Sequence, residues 1–134
     1  MTALGVVDIA ASRQLGRAAV EAMYAVADDS PVGAVLESVF FRSAARERIE
    51  SLPGAVVEVF CRCPRELLSN RHRARAAGRH AGHFDLQRTP EELWNDEIST
   101  PVAGPWPLIE VDTSVMADLG ALSRTVRSSL DAAR

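Results

Sequence analysis

The chain has 134 residues, a formal net charge of -3 and two cysteines, enough for about one domain with a core and too few thiols for the disulfide framework of a small secreted fold. It contains no lysine: all fifteen basic residues are arginine, which excludes a phosphate-binding P-loop lysine and Schiff-base chemistry. No apolar run is long enough to span a membrane, and Met1-Thr2-Ala3-Leu4-Gly5 lacks the charged and apolar regions of a signal peptide, so a cytoplasmic protein with no membrane partner is the expectation.

Asp8 is placed to cap a helix running to about Ala27, with Leu15, Ala19, Met23 and Val26 on one face. After the Asp28-Asp29-Ser30-Pro31 turn, residues 34–41 (AVLESVFF) form an apolar run interrupted by Glu37 and Ser38, the pattern of a buried strand. Ser43 starts a short helix over 44–51 that Pro53-Gly54 ends. Residues 55–63 (AVVEVFCRC) read as a second strand, and Pro64 suits the first turn of a helix from about Arg65 to Ala77.

A glycine-punctuated loop follows, Gly78 to Gly82, and then Thr89-Pro90-Glu91-Glu92, a capping-box signature that opens a short helix through about Glu97. PLIEVDTS, residues 107–114, is a third short strand. The last helix, about 115–132, carries Val115, Leu119, Leu122, Val126 and Leu130 on one stripe. Strands alternating with helices predict an α/β fold with a parallel sheet in a single domain over residues 1–134.

Charge is segregated along this chain. From Arg62 to Arg88 seven arginines face two acids, a local charge of +5, which leaves -8 on the remainder. Such segregation points to an anionic ligand or to a solvated helix face. Arg71, Arg75 and Arg79 lie four residues apart, each turned about 40° from the last, so they share one stripe able to grip phosphate oxygens bidentately. Arg73 lies off the stripe and reads as a solvated residue.

Three further constellations bear weighing. Cys61-x-Cys63 and His80-x-x-His83 together supply four zinc-ligand types. Two cysteines at that spacing on a strand stand about 6.5 to 7 Å apart, wider than one tetrahedral zinc wants, so no metal site is expected and the cysteines read as small apolar residues. Glu37 is a carboxylate inside an apolar run, costly unless it serves at an open strand end or pairs with a cation such as Arg42. At a strand's carboxyl end it is a candidate for activating a substrate hydroxyl or for contact with metal-bound water. Asp112 ends the third strand similarly, or caps the final helix.

The order of these parts resembles the small-molecule kinase branch of the P-loop NTPases, the AAA-type kinases related to shikimate kinase and chloramphenicol phosphotransferase. It consists of an acid-bearing strand, a short helix, a strand ending in Cys-Arg-Cys-Pro, an Arg-x3-Arg-x3-Arg helix running into Arg-His-Ala-Gly-His, and a terminal strand and helix. The likeness covers nearly the whole chain and is most specific over Val57 to His83. It implies a three-layer parallel-sheet fold truncated at its N-terminus, with ATP and Mg2+ as cofactors and a small-molecule phosphoryl acceptor as partner. It also implies a lid over about 65–88 in which Arg71, Arg75 and Arg79 neutralise phosphate charge during transfer. The same resemblance places Glu37 near magnesium and the acceptor hydroxyl, and Asp112, Thr113 and Ser114 where the family holds adenine.

One departure decides the expected activity. No G-x-x-x-x-G-K-[ST] occurs, so the chain is expected to be a kinase-like phosphotransferase relative that is inactive as it stands. The family's P-loop strand lies between the strands matched by 34–41 and 56–63; without it they either pair directly or flank a gap with open edges. The alternative expectation is a non-catalytic interaction module forming a homo- or hetero-oligomer through those edges. Nucleic acid is disfavoured as a partner, because the few aromatic residues do not interleave with the arginines and the overall charge is acidic.

Overall fold

Asp8 caps the first helix as its sequence position predicts: its carboxylate accepts a hydrogen bond from the Ala11 N–H at 2.8 Å, and α1 runs from Ile9 to Asp28. The computed structural model describes residues 8–76, 78, 84 and 87–133. Beyond α1 lie α2 (Arg42–Glu50), β1 (Glu58–Arg62), α3 (Arg65–Ala76), α4 (Pro90–Leu93), α5 (Asp96–Ser99), β2 (Leu108–Asp112) and α6 (Leu119–Ala132). Strands β1 and β2 pair in parallel, Glu58 opposite Leu108 through Arg62 opposite Asp112. Their crossover carries α3, α4 and α5, as a parallel pair requires.

The architecture is mixed helix and strand around a two-stranded parallel sheet, α/β in the loose sense. The strand expected over 34–41 does not form. A strand exists only through ladder hydrogen bonds with a neighbour, and residues 34–40 make no backbone hydrogen bond with any described residue. The segment keeps the exposure rhythm of a strand, however: Val35, Glu37, Val39 and Phe41 are exposed, and Leu36, Ser38 and Phe40 between them are half-buried.

Other boundaries also shift. The inward face of α1 carries Val20, Met23, Tyr24 and Ala27, so of the predicted stripe only Met23 packs inward; Leu15, Ala19 and Val26 are exposed. The reason lies in α2, where Arg48 stacks on the Tyr24 ring at 5.2 Å and pairs with Glu21 at 3.1 Å, turning that side of α1 inward. The capping box at Thr89 forms with Glu92, but the helix stops after one turn because the Asn95 side chain accepts from the Glu97 N–H and caps α5 instead. In α6 Asp118, not Asp112, is the cap, so the helix begins at Leu119 and Val115 stays outside it.

Among the described residues the buried apolar set is Tyr24, Ala45 and Val102. Val35 and Met116 are left 96 % and 94 % exposed.

Candidate functional site at the open edge of the sheet

In a parallel ladder alternate residues direct both backbone groups to the same neighbour. Glu58 donates its N–H to Pro107 O at 2.9 Å, and Arg62 O accepts from Thr113 N at 2.8 Å. Glu58, Phe60 and Arg62 therefore serve β2, while Val59 and Cys61 direct their N–H and C=O groups to the opposite side. No described residue bonds to them there. A cleft of about 880 Å³ lies against one face of the sheet, where Phe60 and Arg62 of β1 stand beside Glu110 and Asp112 of β2, with Cys61, Cys63, Val39 and Trp94 among its other walls.

Two contacts place the walls. His72 on α3 meets Trp94 edge to face at 6.2 Å, holding the α4–α5 segment beside the cleft. Glu97 on α5 accepts from both the backbone N–H of Ser43 at 2.9 Å and its hydroxyl at 2.7 Å, so it caps α2, whose own N-terminus has no side-chain cap. This fixes the point where residues 34–41 end. The Ser43 hydroxyl first, and then its N–H, hold the Glu97 carboxyl below its ordinary value of 4.5. Because the folded state lowers this value, the contribution is complete above pH 4.5 and is lost as pH falls through the folded value. Glu97→Gln is accordingly expected to lower the urea midpoint near neutral pH, with the gap to the unsubstituted chain closing on acidification; a gap independent of pH would contradict this role.

The sequence-predicted site residues are distributed as follows. Arg71 on α3 donates to Thr113 O at 2.7 Å and Ser114 O at 3.3 Å, with Cys63 Sγ at 3.7 Å. Two predicted patches, the arginine stripe and residues 112–114, are thus brought together. The contact occupies the guanidinium with carbonyls and ties α3 to the end of β2, so phosphate would have to compete for it. Arg75 is exposed; its carbonyl accepts from the Gly78 N–H at 3.1 Å, and its guanidinium has no hydrogen bond or ion pair among the described residues. Arg73 is exposed and bonds Asn70 at 2.6 Å, in keeping with a solvated side chain. Arg79, His80 and His83 lie outside the described residues.

Asp112 lines the cleft, and its carboxylate accepts from Ser114 N at 2.8 Å. Hydrogen bonds from the Ser114 side chain and backbone, helped by the Arg62 charge, hold its carboxyl below the ordinary range. Glu37 sits on the segment that failed to become a strand, is exposed, and pairs with no described cation, Arg42 included. It has neither the strand terminus nor the ion pair on which its expected role depended. Cys61 is exposed and Cys63 half-buried, and the described residues contain no cluster of metal-ligating side chains.

A residue of comparable weight was not singled out from the sequence. The Glu58 carboxylate accepts from Val102 N at 2.7 Å, Ala103 N at 2.9 Å and Trp106 Nε1 at 3.0 Å. It pins the 101–107 loop against the start of β1 and holds Ala103 at φ 53°, a left-handed conformation that a non-glycine residue adopts at a cost. Gly104 completes the loop, since a Cβ there would overlap the Trp106 ring. The available signal was a carboxylate inside an apolar run, the same one that drew attention to Glu37.

Compared with known protein families, curated proteins and solved structures, the chain finds no match. Among the described residues no helix is long and apolar enough to cross a membrane.

Proposed function

We propose that this chain works as an interaction module, a small α/β unit that completes its sheet with a strand supplied by another polypeptide. The observation that carries the reading is the edge of β1, where the Val59 and Cys61 backbone groups point away from β2 and meet no described hydrogen-bond partner. Unpaired strand edges template the addition of a further strand, with main-chain hydrogen bonds supplying affinity and pockets for alternate side chains supplying selectivity. The parallel β1–β2 pair and the landing of Arg71 on Thr113 and Ser114 are compatible with a phosphotransferase-like ancestry in which ATP and Mg2+ were the ligands. The absence of any lysine and of a G-x-x-x-x-G-K-[ST] loop argues against catalysis by the chain as it stands.

The test is calorimetric titration of the full chain with a peptide copying residues 34–41 between polar flanks. Saturable binding is expected, and Cys61→Pro should abolish it: proline removes an outward N–H that the β1–β2 ladder does not use. Mg-ATP at millimolar concentration should produce no binding heat. Absence of peptide binding, or binding that Cys61→Pro leaves intact, would overturn the reading.

A further inference from the structure

We infer that the cleft against the sheet face is a binding site for a small organic cation, an ammonium group carried on an aromatic or branched apolar body. The inference goes beyond the sheet-completion reading, because it concerns the face of the sheet and not its edge. The cleft measures about 880 Å³, within the roughly 300 to 1,000 Å³ that small-molecule sites occupy. Its apolar wall comes from Phe60 of β1, Leu68 of α3, and Leu93, Trp94 and Ile98 of the α4–α5 segment. Trp94 is held by its edge contact with His72, so this wall stands before a ligand arrives.

Charge selects the sign of the ligand. The charged side chains in the described lining are Arg62 and Arg65 against Asp96, Glu110 and Asp112. Arg62 pairs with Glu110 at 2.9 Å, so those two offset each other. Arg65 also acts on Glu91, which is not part of the lining. Asp96 and Asp112 make no ion pair with any described residue. Asp112 is fixed by the Ser114 N–H at 2.8 Å, and hydrogen bonds from Ser114, followed by the Arg62 charge, keep its carboxyl ionised at neutral pH. It shares its sheet face with Phe60, which stands opposite Glu110 in the ladder as Arg62 stands opposite Asp112. An ammonium group beside Asp112 gains a carboxylate partner while its apolar body lies on the aromatic wall. An anion of the same shape meets unpaired carboxylates instead.

The probe is phenethylammonium, titrated into the isotope-labelled full chain and followed by nuclear magnetic resonance, with phenethyl alcohol and hydrocinnamate as the neutral and anionic counterparts. Saturable shifts are expected at the Phe60 and Asp112 amides and the Trp94 indole. The Trp106 indole, which donates to Glu58 at 3.0 Å and does not line the cleft, should stay still. The ammonium should bind about tenfold more tightly than the alcohol, and hydrocinnamate more weakly than either. Asp112→Asn keeps an oxygen that can accept from the Ser114 N–H, so the fold should survive. That variant should weaken the ammonium about tenfold and leave the alcohol's affinity unchanged. Equal affinities for ammonium and alcohol, full ammonium affinity in Asp112→Asn, or no saturable shift at the named groups by roughly 10 mM ligand would overturn the site.

Discussion

Glu58→Ala is expected to lower the unfolding free energy by about 3 kcal/mol, read from urea transitions followed by circular dichroism. One carboxylate accepts from two backbone N–H groups and an indole N–H of the 101–107 loop. Hydrogen bonds to a charged acceptor contribute about 1.5 to 3 kcal/mol each, but they share one acceptor and do not add fully. Loss of the acceptor also leaves the N–H of Val102, a residue 5 % exposed, without its partner, and frees Ala103 from the contact that holds its positive φ. Glu58→Gln keeps one acceptor oxygen but turns an amide N–H2 toward the remaining donors, so it should lose about half as much. Equal stability of Glu58→Ala and the unsubstituted chain would show that the loop is held by other contacts.

Tyr24→Ala should have a comparable effect, about 3 kcal/mol or more, the range for removing a buried aromatic ring. Tyr24 is 4 % exposed and is the largest of the three buried apolar residues among those described. Its ring also receives the Arg48 guanidinium at 5.2 Å, which links α2 to α1. Burial raises the phenol's pKa, with Arg48 opposing the rise. Tyr24→Phe keeps the ring and the cation contact, so it should cost less than about 1 kcal/mol. If the phenylalanine variant lost as much as the alanine variant, the hydroxyl rather than ring packing would be the stabilising group.

Local signals in the sequence translated well into local structure. Asp8 and the Thr89 capping box act as predicted, β1 and β2 fall within the predicted strands, and α3 ends within one residue of its predicted limit. What failed depended on partners that composition does not reveal. Residues 34–41 have strand-like apolar content and strand-like alternation, but strand formation also requires a neighbour, and the described residues supply none. The side of α1 that packs inward is the one that meets Arg48 of α2 through Tyr24 and Glu21, a tertiary pairing invisible to a periodicity count on α1 alone.

The acidic residues show the same limit. Glu37 and Glu58 carry the same sequence signal, an acid inside an apolar run, and only the distant loop at Val102, Ala103 and Trp106 distinguishes them. Arg71 lies on the predicted stripe, but its nearest acceptors turned out to be the carbonyls of Thr113 and Ser114. Spacing predicts a shared face for Arg71, Arg75 and Arg79, but only tertiary structure shows what Arg71 meets.

The most direct test of the open edge is residue-resolved amide hydrogen exchange across β1 in the free and the peptide-bound chain. In the free chain the Phe60 and Arg62 amides, which serve the ladder with β2, should be protected, and those of Val59 and Cys61 should exchange rapidly. Adding the 34–41 peptide should bring Val59 and Cys61 to the protection of their neighbours. Equal protection of all four in the free chain, or no gain at Val59 and Cys61 with the peptide, would contradict an edge that is open and filled by an added strand.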